Sequence, residues 1–343
     1  MTLKDLAREL DLSPSTVARA LSDHPHIASA TKARVQQVAE SRGYAVHLGA
    51  RLMRNGRSTL IGLLVPDVQN YFYATVAKAM AQCCHERGFQ LVLGNTEDDA
   101  DNELAQLRGL REARAAGVII VPSARPAEES VALLRRMRFV QLVRTMPGLE
   151  KESVFRLDDR GGLFEATDHL IALGHRRIAY IGGTLSLSTG SARFAGFRDA
   201  MEAAGLQVDD DLLAFGAPRA GFATDAFEAM WARPNRPTAL VAGGSRITVG
   251  LLEAVTRLKV PVPEQLSLVG HGDAPWFSWW RDGLTTLALP VRDIALGCGE
   301  FLLRRIREEP EGEPPHSSVH APRLVVRSST TPPPDGVGAA EPA

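Results

Sequence analysis

Beyond Ser58 the chain alternates short apolar runs with amphipathic stretches, and this alternation limits the possible fold more than any other feature of its 343 residues. Leu60 to Val65, Phe89 to Leu93, Val118 to Val121 and Phe139 to Val143 are rich in branched and aromatic residues and read as strands. Helical spacing fills the intervals at 71–87, 101–115 and 126–137. The rhythm resumes after Asp158 with a helix from about Gly162 to Leu173, a strand at Ile178 to Ile181 and a helix near 192–204. Thr238 to Val241, a helix near 246–257 and Leu266 to Val269 continue it. A strand, a crossover helix and a further strand repeated in this way predict an α/β body made of two doubly wound parallel-sheet lobes with helices on both faces. Ligands of such sheets bind beyond the carboxyl ends of the strands, so the cleft between the lobes is the natural pocket. After Pro290 a helix near 292–307 and a strand near 322–327 imply that the chain returns to the first lobe and crosses again, so that three crossings form a hinge.

The first 57 residues follow a different period. Thr2 and Asp5 fit a helix-start capping box, and Leu3, Leu6, Ala7 and Leu10 make one apolar stripe opposite Lys4, Asp5, Arg8 and Glu9. The chain turns at Asp11-Leu12. Ser13 then supplies a second cap, and Pro14 occupies the first helical position, where its missing amide costs nothing. Val17, Ala20 and Leu21 face back onto the first helix, which leaves Ser15, Thr16 and Arg19 outward. A third helix from about Ala30 to Arg42, with Val35 and Val38 inward, completes a small all-α helix-turn-helix head before Gly43-Tyr44. Short polar side chains and one arginine near a helix start suit a major groove, where arginine bonds two guanine acceptors together.

Charge separates this head from the body. Residues 1–57 carry nine Lys/Arg against five Asp/Glu, whereas the other 286 carry 30 against 35. A basic module on an acidic body matches phosphate binding, because counterion release drives nucleic-acid affinity. No run approaches the ~20 apolar residues of a membrane span, and the N-terminus lacks a signal-peptide core, so no membrane partner and a soluble, cytoplasmic protein are expected. Cys83, Cys84 and Cys298 show no redox or metal-ligand spacing and are expected to be reduced and mostly buried. An α/β sugar-processing enzyme with an attached head is the rival class. The chain contains no phosphate-cradling loop ending in Lys-Ser or Lys-Thr, no nucleophile elbow and no metal-spaced His/Cys set, so neither catalysis nor a cofactor is expected. A transport-type binding protein would share the body but would carry an export signal and no basic head.

Six ordered segments carry a resemblance: Ser13 to Leu21, Ala50-Arg51-Leu52-Met53, Ile61 to Asp67, Leu173-Gly174-His175-Arg176-Arg177-Ile178, Arg193-Phe194-Ala195-Gly196-Phe197 and Leu284-Thr285-Thr286-Leu287. Over residues 2 to 330 the chain resembles the LacI/GalR family of bacterial transcription regulators, whose body is periplasmic-binding-protein-like. The resemblance implies a helix-turn-helix head at 1–45, a hinge segment at 46–57 and an effector-binding and dimerisation domain at 58–330; beyond it, the run Thr331-Pro332-Pro333-Pro334 and its small-residue tail at 331–343 cannot build a core and are expected to be disordered. It also implies a homodimer whose two heads read a near-palindromic operator, most simply as a repressor. Pro14, Ser15 and Arg19 fall where the family reads bases, Thr16 and His26 fall near its backbone contacts, and Ser13 opens the same surface. Ala18 departs from the usual serine, and Ala28 replaces the usual cap of helix three, which loosens that helix by ~1 kcal/mol. In the hinge, Ala50 and Met53 are implied minor-groove contacts, with Met53 as the apolar wedge where the family usually has leucine.

In the body, the resemblance assigns effector contacts to Phe72 and Tyr73, which open the first lobe's first helix, and to Arg193, with Ser123 and Asp158 as further pocket positions. Gly272 and the neighbourhood of Ser245 stand where the family commonly has aspartates that accept sugar hydroxyls. With Arg246 and His271 nearby, the loss of two carboxylates favours an anionic effector, such as a sugar acid. Trp276, Trp279 and Trp280 cluster with Phe277 either as a packed interface or as a stacking platform. The expected mechanism is allosteric: an effector that binds one lobe arrangement better shifts head affinity for operator, in a direction left open between inducer and corepressor.

Overall fold

The computed structural model describes residues 2–21, 24–44, 58–308 and 314–334. The chain divides into two compact units, Met1–Ser58 and Thr59–Ala343. In the first, α1 (Leu3–Glu9), α2 (Pro14–Leu21) and α3 (Ser29–Ser41) enclose Leu6, Ala7, Leu10, Val17, Ala20, Val35 and Ala39. The capping box forms: Asp5 N donates to Thr2 Oγ1 at 3.3 Å and Thr2 N to Asp5 Oδ2 at 3.0 Å. Asp11 makes the turn at φ 53°, a left-handed conformation that Asp adopts more readily than most side chains. Ala28 precedes α3 without a side-chain cap, as its methyl group dictates.

The second unit holds two six-stranded sheets. The first, in the order β11-β5-β4-β3-β1-β2, comprises β1 (Leu60–Val65), β2 (Gln90–Asn95), β3 (Gly117–Ile120), β4 (Phe139–Leu142), β5 (Val154–Leu157) and β11 (Ser317–His320), all parallel. The second, in the order β12-β10-β9-β8-β6-β7, comprises β6 (Ile178–Gly183), β7 (Leu213–Gly216), β8 (Ala239–Gly243), β9 (Ser267–His271), β10 (Thr285–Ala288) and an antiparallel β12 (Arg323–Val325). In both sheets the strand order reverses beside the first strand, between β1 and β3 and between β6 and β8. Such a reversal sends consecutive crossovers to opposite faces and opens a crevice at the strand ends.

The helices follow from the same periodicity. α4 (Tyr71–Glu86), α5 (Ala100–Glu112), α6 (Glu128–Leu134) and α11 (Val291–Glu308) cover the first sheet, and α7 (Asp159–Ala172), α8 (Ser188–Ala203), α9 (Ala220–Trp231) and α10 (Ser245–Arg257) cover the second. α11 buries Ile294, Cys298, Phe301 and Leu302 against α4 and the first sheet, whereas α7 buries Leu163, Ala166 and Leu170 against the second. The chain therefore crosses between lobes three times: after β5, at Leu289-Pro290, and between β11 and β12.

Several details differ from the sequence expectation. The strand expected near 322–327 is the short β12 at the edge of the second sheet, and a further strand with no counterpart in the sequence reading, β11, precedes it and closes the first sheet, because the third crossing falls between them. β5, β7, β10 and α9 had no counterpart in the periodic reading. The helix expected from Gly162 begins at Asp159, since Asp158 caps it by accepting Gly161 N at 2.9 Å. The tail was expected to be disordered from 331, yet Thr331 is held. Its amide donates to Ser267 Oγ at 3.0 Å, and its carbonyl accepts from Ser267 Oγ at 2.9 Å and from His175 Nε2 at 2.8 Å. Residues 335–343 lie outside the described residues. All three cysteines are free and buried, and no described helix is long and apolar enough to cross a membrane.

Gly196 in α8 explains part of the Arg-Phe-Ala-Gly-Phe segment. A Cβ there would overlap the Arg160 carbonyl of α7, so a methyl group would force the two helices apart. Gly196→Ala should lower stability by about 1–3 kcal/mol in urea unfolding. Gly221→Ala, in open space on α9, should be neutral or slightly stabilising. Equal midpoints for the two variants would refute the close-packing role.

Candidate functional site: the interlobe cleft and the head surface

The carboxyl ends of the two sheets meet around a cleft of about 580 Å³, its opening to solvent included, that draws its walls from both lobes. From the first lobe, β1 leads into Pro66 and Asp67, and Asn70 caps α4 by accepting Phe72 N at 3.1 Å. The cap places Phe72 and Tyr73 in the first helical turn, where the rings meet edge to face at 5.1 Å and 85°. Beyond β2, Asp98 pairs with Arg144, which follows β4 and also donates to Pro122 O at 3.1 Å.

The second lobe supplies the opposite wall. Arg193, in the second turn of α8, donates through Nε to Asp159 Oδ1 at 2.7 Å and through Nη1 to Gly243 O at 3.2 Å. His271 ends β9, and its Nε2 lies 3.9 Å from the same Asp159 oxygen, beyond hydrogen-bond range. Among the described residues, both ring nitrogens of this buried histidine, and the buried Tyr180 hydroxyl on β6, lack a protein hydrogen-bond partner. Ser245 and Arg246 open α10, and Arg246 Nε reaches across the lobes to Asp67 Oδ2 at 3.2 Å. Thr145 N to Ser188 Oγ, 3.1 Å, is a second contact between lobes.

The electrostatics follow from burial and pairing. Burial works to raise the Asp159 carboxyl, but the Arg193 guanidinium bonded to it holds it below its ordinary value. Burial pushes His271 down to about 4, with the Arg193 charge acting in the same direction and Asp159 against it. His271 is therefore a neutral imidazole, able to donate from one nitrogen and accept at the other. Asp67, Asp98 and Asp159 balance Arg246, Arg144 and Arg193, so the charge of the cleft is matched pair by pair.

Of the sequence candidates, Phe72, Tyr73, Arg193, Ser245 and Arg246 line this cleft, and Gly272 lines an adjoining compartment. Asp158 is spent as the cap of α7, and its neighbour Asp159 is the carboxylate beside Arg193. Ser123 is buried off the cleft wall, its amide donating to Glu103 Oε2 at 2.8 Å. Sequence reasoning passed over Asp67, Asp98, Arg144 and Asp159. The usable signal was their position one to three residues past a strand end. In the head, Ser13, Pro14, Ser15, Arg19 and His26 are exposed and Thr16 is half-buried, whereas Ala18 is buried. Ser13 Oγ accepts Thr16 N at 3.1 Å and lies 2.8 Å from the hydroxyls of Ser15 and Thr16. Ala50 and Met53 lie outside the described residues.

Residues 2–46 match the family described as bacterial regulatory proteins, lacI family, and residues 167–330 match a periplasmic binding protein-like domain. The HTH-type transcriptional regulator GalR of Salmonella typhimurium is 30% identical over 335 residues, covering 97% of each chain. The chain belongs to the LacI family. The HTH-type transcriptional repressor PurR of Escherichia coli is likewise 30% identical, over 96% of each chain. Among solved structures, the lac repressor dimer bound to operator and the anti-inducer ONPF superposes with TM-score 0.81 at 20% identity, covering 96% of this chain and 99% of that one. A CelR–cellobiose complex gives 0.72 at 24% identity with the same coverage. These two likenesses carry the fold. As a LacI-family member, the protein is a DNA-binding transcriptional regulator with a ligand-binding body.

The buried histidine makes a pH prediction. An unfolded His271 takes a proton near 6.5 and the folded one only near about 4, so between these values the unfolded state binds more protons and stability falls as pH falls. The cost at pH 5 is about 2 kcal/mol relative to neutral pH. His271→Gln should remove that share of the pH dependence in urea midpoints taken at pH 7 and pH 5. An unchanged slope in the variant would show that the imidazole is protonated in the folded state.

Proposed function

We propose that the protein is a cytoplasmic homodimeric repressor whose affinity for a near-palindromic operator is set by a small hydroxylated effector bound in the cleft. The arrangement of Arg193 on α8, Asp159 at the start of α7 and His271 at the end of β9 carries this reading. It gathers a guanidinium, a carboxylate and a neutral imidazole within one buried corner, a donor and acceptor set suited to hydroxyl groups. Phe72 and Tyr73 offer ring surface to the apolar side of such a ligand.

The operator half of the reading rests on the exposed Ser13 to Arg19 surface and the positive balance of the head. GalR and PurR, the relatives of similar length, are named as a transcriptional regulator and a transcriptional repressor. Dimerisation is supported by apolar surface left open on the edge strand β2, where Val92 and Leu93 are exposed, and at Trp279.

The anionic version of the effector has narrower support than the missing aspartates at Gly272 and Ser245 suggested, because three other aspartates match the three arginines of the cleft. Arg193 still holds one amino group, Nη2, outside its bonds to Asp159 and Gly243, and that group is where a sugar carboxylate would sit. Neutral sugars altering operator affinity while sugar acids leave it unchanged would remove the acid.

Two variants separate the two halves. Arg19→Ala should weaken operator binding by ~1–3 kcal/mol and relax one operator position, with little change on random duplex. Arg193→Ala should keep operator affinity and lose the effector response, read by fluorescence anisotropy on operator DNA after a metabolite screen. Comparable losses on operator and random DNA for Arg19→Ala would contradict base reading, and an intact response in Arg193→Ala would move the effector elsewhere.

A further inference from the structure

Beside the charged corner of the cleft lies a second compartment of about 550 Å³ with walls of a different kind. Tyr71 and Phe72 enter it from α4, Trp276 and Phe277 from the 3-10 turn Pro275–Ser278, Val249 from α10 and Leu289 from the second crossing. The two compartments share Asn70, Phe72, Ser245, Arg246 and Leu289, so they adjoin.

Tyr71 and Trp276 come from opposite lobes and meet edge to face at 5.0 Å and 72°, yet 39% and 37% of their surfaces stay open. Phe72 and Phe277 behind them are buried and fixed. Asp273, the one carboxylate on this wall among the described residues, is occupied by Arg327 at 2.8 and 2.9 Å and by Thr286 at 2.9 Å, so it projects little unmatched charge. Gly272 stands beside Ser245 at φ +81°, where a Cβ would lie 3.0 Å from Ser245 Oγ, and the missing side chain keeps that part of the wall recessed.

We propose that this compartment is a subsite for a planar, apolar group carried by the effector, so that the ligand has a hydroxylated half at Arg193 and an aromatic half against the open faces of Tyr71 and Trp276. The proposal rests on the reading of the cleft as the effector site and adds a substituent class to it. A ring placed in the charged corner would separate three ion pairs from solvent without replacing their hydrogen bonds, whereas here it meets aromatic faces that favour offset or edge contacts.

Phenol is the probe, titrated into the full-length protein and followed by calorimetry and tryptophan emission. Saturable binding at one site per chain is expected, weakened roughly tenfold in Trp276→Ala and lost in Val249→Phe, which fills the space, with both variants checked for native circular dichroism. Wild-type protein that takes up no phenol, or uptake equal in all three proteins, overturns the proposal. Arg193→Ala should bind phenol as the wild type does. Phenol uptake therefore reads the aromatic compartment alone and the operator response of Arg193→Ala reads the polar one, so the two can fail separately.

Discussion

Everything in the body depends on the chain passing three times between two parallel sheets. Each sheet reverses its strand order beside its first strand, and the crossings set these two reversals face to face. Side chains just past β1, β2 and β4 on one side, and just past β8 and β9 on the other, then converge without any loop of unusual length. The cleft is a consequence of connectivity before it is a matter of residue choice. Residue choice decides what fills it: short segments that could have been inert turns instead carry Asp67, Asp98, Arg144, Arg246 and His271.

The buried charges show how such a site stays stable without a ligand. A lone carboxylate as enclosed as Asp159 would be costly, and so would a lone guanidinium as enclosed as Arg144. Each has a partner at hydrogen-bond distance, and Arg193 and Arg144 also donate to backbone carbonyls. Among the described residues the neutral His271 nitrogens and Tyr180 hydroxyl have no hydrogen-bond partner, and Arg246 Nε, although 3.2 Å from Asp67 Oδ2, makes no hydrogen bond either. An unmet hydrogen bond on a neutral group costs less than an unpaired charge, and that of His271, which lines the cleft, is open to a ligand hydroxyl.

Much of this was legible in the sequence, for reasons that can be named. β1, β6 and β8 are continuous apolar runs because parallel strands are covered on both faces, and α11 is long and amphipathic because one side packs on α4. The head declared itself through Thr2, Asp5, Ser13 and Pro14, whose local chemistry acts over a single turn. What stayed hidden was short or non-local. β5 and β7 have four residues each, and β12 has three. The Asp158–Asp159 pair shows the limit most clearly, since adjacent identical side chains differ in role only through the helix that begins there. One caps α7 and its neighbour turns into the cleft.

The contacts that join the lobes are few and weak beside those that build each lobe. Asp67–Arg246 is an ion pair with 35% and 29% of its side chains exposed, a class worth at most about 1 kcal/mol after screening by solvent. Tyr71–Trp276 is half open, and Thr145–Ser188 is a single hydrogen bond. The cores on either side exclude solvent from Ile61, Leu63 and Val76 in one lobe and from Ile181, Phe227 and Leu251 in the other. Each lobe is therefore held by its own core, and the junction between them by these weaker contacts. A ligand that bonds Arg193 on one side and Phe72 or Tyr73 on the other needs only a few kcal/mol of preference for one lobe arrangement to decide which is populated, and binding energy that is equal in both arrangements contributes nothing to the switch.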